Sequence, residues 1–211
     1  MTVSKAERLQ RSRLGPPVRG AVSRLRIPMW KLRGSPAPAP PHRKGRVVAS
    51  YARRVGADTF VETGTYRGDT LALVAPLVKQ AISIELDPTL ADFAKRRFAT
   101  RPNVEIILGD SAKVLVCVVG SLASPALFWL DGHYSGGATA DSGESPIMAE
   151  IETVLSSALE HTLLIDDVRL FDGTNGYPSL AALRSRVEAL RPGWNFEVVN
   201  DIARVGSPSS S

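Results

Sequence analysis

The sequence predicts an α/β fold: a mostly parallel sheet with helices on both faces and an antiparallel hairpin at its C-terminal end. Three observations lead there. Short apolar runs rich in β-branched residues alternate with helical patterns along most of the chain. The stretch Phe60-Val61-Glu62-Thr63-Gly64-Thr65-Tyr66-Arg67-Gly68 passes from a strand through a tight glycine turn into a helix start. Near the end, Asn195 to Val199 and Ile202 to Val205 are strand-like and are separated only by Asn200-Asp201, the spacing of a two-residue hairpin turn.

Taken in order, the first 46 residues form a basic, Pro-rich arm that is expected to be flexible. They contain twelve of the 26 Lys and Arg residues but only Glu7 among the acids, a net +11 against −6 for the remainder. Such an arm could contact nucleic acid or another anionic partner, or stay solvated; a lone Trp30 gives little base-stacking capacity. Ser35 to Pro41 reads as an extended linker, because each proline biases its predecessor away from helix. The folded domain is expected over 47–206, with a short disordered tail at 207–211.

Within the domain, apolar residues at helical spacing give a first helix over 47–55, which Gly56 can end. Strands follow at Thr59 to Thr63, Ala81 to Leu86, Val104 to Leu108, Ala126 to Leu130 and Thr162 to Ile165. Helical patterns lie at roughly 67–79, 88–100, 111–120, 146–159 and 178–190. Asp87 before Pro88 supplies both a cap and a first-turn proline for the second of these helices. Cys117, the single cysteine, cannot form an intrachain disulfide; in the apolar run Val114 to Val119 it reads as a buried structural thiol. No apolar run approaches a membrane span and the N-terminus lacks a secretory signal, so the cytoplasm is the expected location, as a monomer or a homo-oligomer.

Ligands of open parallel sheets bind beyond the carboxyl ends of the strands, so the residues just after each strand carry the chemistry. Gly64 and Gly68 lack a Cβ, and the helix that follows offers free N–H groups. Tyr66 stands where a dinucleotide fingerprint needs glycine, which disfavours a pyrophosphate, whereas Glu62 suits a cationic ammonium group. Glu85, twenty-one residues beyond Gly64, is placed to accept from ribose hydroxyls. Asp110 and Ser111 follow the third strand, where Asp110 could accept from an exocyclic amine or simply cap the next helix. Asp131 follows the fourth strand, and Asp166 and Asp167 follow the fifth. Three acids at one edge repel one another unless they share a proton or cation, and hard oxygen ligands suit Mg²⁺ or another divalent ion.

The pattern Glu62-x-Gly64-x-x-x-Gly68 resembles motif I of the class I S-adenosylmethionine (SAM) methyltransferases. That resemblance implies the Rossmann-like class I methyltransferase fold, SAM as cofactor, and Glu62, Gly64, Tyr66, Gly68, Glu85, Asp110, Ser111 and Asp131 as its binding residues. Asp131-Gly132-His133-Tyr134 together with Ile165-Asp166-Asp167 resembles the metal-dependent O-methyltransferases of the macrocin type. It implies a divalent metal on Asp131, Asp166 and Asp167, and a small-molecule or sugar hydroxyl as acceptor. The segment from Leu130 to Gly137 is also similar to bacterial methyltransferase-like proteins with the same Leu-Asp-Gly-His-Tyr-Ser-Gly-Gly run. His133 departs from the macrocin type, which has a second acid there, as does the long loop Ser135 to Ser145. Asp131 and His133 are the candidate catalytic residues: His133 could take the hydroxyl proton or orient Asp131. Asp131 could alternatively touch only the cofactor, and Tyr66, Asp172 and Tyr177 are weaker candidates for lining the site. Two rival readings are a methyltransferase acting on nucleic acid or protein through the basic arm, and a SAM-binding module without turnover.

Overall fold

The computed structural model describes residues 28–30, 32–34, 38, 40–131, 146–174 and 176–208. His133 and the loop from Ser135 to Ser145 lie outside them, as does the arm up to residue 27. Helix α1 spans Pro41–Val55, β1 Thr59–Thr63, α2 Asp69–Val74, β2 Gln80–Glu85, α3 Pro88–Phe98, β3 Val104–Leu108 and α4 Ser111–Ser121. Then come β4 (Ala126–Leu130), α5 (Ile147–Leu155), β5 (Thr162–Ile165), α6 (Leu180–Leu190), β6 (Asn195–Val199) and β7 (Ile202–Gly206). The seven strands form one sheet in the order β3-β2-β1-β4-β5-β7-β6, in which only β7 runs antiparallel to its neighbours. No described helix is long and apolar enough to cross a membrane.

Three local readings change. The first helix starts at Pro41 and not at Val47, so the expected arm boundary at residue 46 falls inside α1. A proline at the first helical position costs nothing, because its N–H would be unsatisfied there anyway and its φ is already helical. Trp30 is likewise buried, with the Arg43 guanidinium 4.9 Å from its ring centre. Helix α2 is short because Pro76 cannot donate to the preceding turn; a 3₁₀ turn over Ala75–Leu77 replaces its end. Cys117 is exposed, not buried: in α4 the inward face is set by Leu115, Val118 and Val119, and residue 117 points away from it.

Strand alternation sorts the core into two layers. Val61, Ile82, Ile84, Phe128, Leu130, Leu163 and Ile165 pack against Leu115 of α4, Ile147 and Ile151 of α5, and Leu183 of α6. Phe60, Ala81, Leu127, Trp129 and Leu164 pack on the other face against Val48 and Ala52 of α1, Leu71 and Val74 of α2, and Phe98 of α3. The central strands β1, β4 and β5 are buried throughout, as a parallel sheet covered on both faces requires. Register matters most for function. Thr63 pairs with Ile84 and Leu130, and Leu130 with Ile165, so Gly64, Glu85, Asp131 and Asp166 leave the sheet at one level. At the same edge, Asn200 (φ 53°) and Asp201 (φ 70°) form the hairpin turn in the left-handed region, the twist that suits tight hairpins.

At the opposite edge of the sheet His161 ties β4 to the end of α5. Its Nδ1 accepts from the Ala126 N–H at 3.0 Å, its Nε2 lies 3.0 Å from the Ser157 hydroxyl, and its ring meets Phe128 edge-on at 5.0 Å. Burial, with a smaller effect of Arg191, pushes its pKa down to about 4. A His161→Leu variant should lose about 1–3 kcal/mol at pH 7, because the Ala126 N–H is left buried without a partner. The folded wild type takes up its proton only near pH 4, whereas the unfolded chain does so near the ordinary value of 6.5. Wild type therefore loses stability from this group as pH falls through that window and the variant does not, so urea denaturation should show the gap between them narrowing from pH 7 to pH 4.5.

Candidate functional site

The turn after β1 is clamped from several sides. Its Gly64 and Thr65 N–H groups donate to the Ile84 carbonyl at 2.9 and 3.3 Å. Gly64 has φ 80°, and a Cβ there would lie 3.1 Å from the Asp131 carbonyl oxygen. Gly68 has φ 69°, and a Cβ there would lie 2.6 Å from the Phe98 ring. Both glycines thus allow protein to approach protein: the turn against the end of β4 and the start of α2 against α3. Tyr66 is also left-handed, at φ 48°, and its N–H donates to Glu85 Oε2 at 2.6 Å. Arg97 of α3 donates to the Arg67 carbonyl, and to Asp69 at 2.8 Å.

Several of the expected cofactor residues have partners within the protein. Glu62 is buried and accepts from the Ser83 hydroxyl at 2.7 Å; that hydroxyl also lies 2.6 Å from Thr65 Oγ1. Burial pushes Glu62 up to about 8, against the pull of the Ser83 hydrogen bond and with a further push from Asp131 and Glu85. Glu85 spends one oxygen on Tyr66 and the other on the Asp87 N–H at 3.0 Å, so its observed work is to fix the turn. Asp110 caps α4 by accepting from the Ala112 N–H at 3.1 Å, with Lys113 3.3 Å away. Ser111 donates to Glu150, a buried acid of α5 that also accepts from Thr63 Oγ1 at 3.2 Å. Burial pushes Glu150 up to about 7.

Asp131, Asp166 and Asp167 do converge: one carboxylate oxygen from each lies within 4.8 Å of the others. Lys44, from the second turn of α1, reaches into this cluster. Its Nζ lies 2.8 Å from Asp166 and 2.5 Å from Asp167, and its side chain is only 11% exposed. Arg169 bridges Asp167 to Asp201, and its own N–H donates to Asp201 Oδ1 at 2.7 Å. The Asp167 N–H donates to Asp166 Oδ1 at 2.7 Å, and Asp167 holds φ 53°, a strained backbone for a residue with a side chain. Burial, followed by repulsion from Asp131, pushes Asp166 up to about 7 even though Lys44 pulls it down. Burial alone would lower the Lys44 pKa, but Asp166 and Asp167 outweigh it and hold the ammonium above its ordinary value.

Lys44, Arg169, Ser83, Arg97 and Glu150 escaped the sequence reading. Arg169 alone carried a usable signal, two residues beyond Asp167. Asp172 closes a local turn on Thr174, and Tyr177 packs on Phe171 at 5.7 Å, so each has a structural contact of its own.

Buried acids with raised pKa values make a testable electrostatic signature. Glu62 keeps its proton in the folded protein up to about pH 8, whereas the unfolded chain releases it near 4.5. Its contribution to stability is therefore full below pH 4.5 and is lost as pH rises through 8. Chemical denaturation should show Glu62→Gln losing less stability than wild type between pH 5 and pH 8, by on the order of a few kcal/mol.

No protein-family model matches the chain. Among curated proteins, it is 39% identical over 69 residues to a probable ribosomal RNA small subunit methyltransferase A of Methanosarcina mazei, covering 33% of this chain and 25% of that protein. The Methanosarcina barkeri counterpart is 41% identical over 69 residues, 33% of this chain and 24% of the relative. The chain thus spans about a quarter of the curated relatives it matches. Solved structures align over most of its length. An O-methyltransferase from Bacillus cereus in complex with S-adenosylhomocysteine (SAH) has a TM-score of 0.57 at 15% identity, covering 89% of this chain and 91% of that one. The O-methyltransferase TomG from Streptomyces achromogenes, in complex with SAM, has a TM-score of 0.56 at 16% identity, covering 93% and 90%. The 23S rRNA methyltransferase ErmE has 0.51 at 18%, covering 78% and 68%. With its strand order, inserted antiparallel β7 and these alignments, the chain has the Rossmann-like fold of the class I methyltransferases.

Proposed function

We propose that this protein is a SAM-dependent methyltransferase that acts on a hydroxyl of a small-molecule or sugar acceptor with the help of a divalent cation. The observation that carries this reading is the meeting of two sets of residues at one level of the sheet edge: the Glu62–Gly68 turn, and the Asp131, Asp166 and Asp167 carboxylates. SAM fits the chemistry of the first set. Glu62 is a buried carboxyl that burial keeps neutral by itself and that would ionise opposite the ammonium group of a cationic partner, and a side chain at Gly64 would press on Asp131. A divalent cation fits the second set, three hard oxygen donors at a point where the Lys44 ammonium already stands as a cation.

SAM bound here supplies an electrophilic methyl group, and a divalent ion supplies Lewis acidity toward a hydroxyl. The chain's own residues supply position. Glu85 and Arg97 hold the turn rigid, Asp131 stands between the turn and the acid pair, and the apolar strands beneath exclude water from the edge. His133, in the segment after Asp131, is our candidate to accept the acceptor's proton. Asp110 and Ser111, at the start of α4, are assigned to the adenine side, and Glu85 to the ribose side.

Calorimetric titration of SAH into the full-length protein tests the cofactor, and a methyl-transfer assay over a panel of hydroxylated acceptors tests the reaction. Asp166→Asn should reduce metal-dependent turnover by about 100-fold or more while leaving SAH affinity within a factor of a few. Turnover that persists in chelator would remove the metal from the mechanism, and absence of SAH binding would overturn the cofactor assignment.

A second reading has its own support, from the rRNA methyltransferase relatives and the +11 charge of the first 46 residues. An RNA acceptor predicts binding that falls steeply with salt, and a shallower salt slope once residues 1–27 are removed. Filter binding of a ribosomal RNA fragment at several salt concentrations separates the two, since a small-molecule enzyme shows equal, weak retention with and without that segment.

A further inference from the structure

We infer that Lys44 is a tethered counterion that holds the cation position of the Asp131–Asp166–Asp167 centre and must leave it for a divalent ion to bind. The inference rests on the metal reading above and adds to it a built-in competitor. The Lys44 Nζ sits 2.8 Å from Asp166 and 2.5 Å from Asp167, so it occupies two of the three carboxylates a metal would need. The side chains of Asp166 and Asp167 are 3% and 5% exposed. Two carboxylates that deep are costly without a cation, so the folded chain brings its own. An ammonium and a divalent ion on the same oxygens would repel each other strongly, and the two states exclude one another.

The second cation at this centre behaves differently. Arg169 is pinned to Asp201 by both its side chain and its backbone N–H, and it bonds to Asp167 from the hairpin side. Lys44 is held only by the carboxylates it neutralises, among the contacts described for its side chain, and a lysine is a compact charge on a flexible four-carbon stem. It can swing outward while α1 stays in place. That helix is seated closely at the next residue: a Cβ on Gly45 would come 2.9 Å from Leu73 Cδ1. The centre therefore alternates between a lysine-neutralised state, which folds without metal, and a metal-loaded state with Lys44 withdrawn. The metal's apparent Kd is its intrinsic value divided by the fraction of molecules in which Lys44 is withdrawn.

The test is a Mn²⁺ titration of full-length protein at fixed pH, with free Mn²⁺ read by electron paramagnetic resonance. Lys44→Met should bind Mn²⁺ at least about tenfold tighter than wild type, and Lys44→Arg no tighter than wild type. Binding by wild type with equal or weaker binding by Lys44→Met overturns the competition and leaves the metal reading standing. Absence of Mn²⁺ binding in both overturns the metal reading and the inference together. Should Lys44→Met fail to fold, wild type alone decides: an amine-acylating reagent followed by peptide mass spectrometry should find Lys44 protected without Mn²⁺ and labelled at saturating Mn²⁺. Protection unchanged by bound Mn²⁺ overturns the inference.

Discussion

Carboxylates buried side by side repel one another, and much of this molecule's tertiary arrangement offsets that repulsion. Asp131, Asp166 and Asp167 are brought together by the register of β4 and β5, which also keeps them from moving apart. The offsetting charges come from remote parts of the chain: Lys44 from the first helix, and Arg169 steadied by Asp201 in the last turn. Desolvating such groups costs several kcal/mol each unless they are paired and hydrogen-bonded. The packing of α1 over the sheet and the position of the C-terminal hairpin are thus electrostatic requirements as well as hydrophobic ones.

The end of β1 extends this theme to both faces of the sheet. Glu62 and Thr63 are adjacent, so their side chains point to opposite faces. Glu62 meets Ser83 on the face covered by α1, and Thr63 meets Glu150 on the face covered by α5. Each acid is pushed toward neutrality by burial, and Asp131 adds to the push on both. The strand end beside the glycine turn is therefore flanked, one on each face, by two buried carboxyl groups that burial holds toward neutrality.

The strands were legible because each central one is a short run of apolar, β-branched or aromatic residues bounded by turn residues. Their ends were legible too, so the positions of Glu62, Asp131, Asp166 and Asp167 followed from counting. Lys44 was not. It lies 122 residues before Asp166, among basic and prolyl residues whose local character suggests a solvated arm, and only tertiary contact shows that α1 begins at Pro41. Glu150 sits mid-helix with no motif around it, and its role depends on α5 lying over Thr63 and Ser111. Cys117 departs from the burial its apolar run suggests, because a helix turns part of any such run outward. Glu85 shows the converse: its place at the strand end follows from counting, but both its oxygens meet backbone N–H groups, which residue spacing does not display, while Asp110 takes the helix-capping role that the sequence offers as its alternative.

The order of strands has a consequence for how the chain comes together. β7 lies between β5 and β6, so the last strand in sequence fills an interior place in the sheet and covers the flank of the strand that leads into Asp166 and Asp167. Until β7 is in place, β5 is an open edge, able to pair with any extended segment that meets it. The parallel core can form as the chain emerges, but the acid centre acquires its Arg169–Asp201 anchor only when the hairpin docks. Assembly of the sheet thus ends beside the acid cluster, with long-range contacts that are slow to form and vulnerable while they wait.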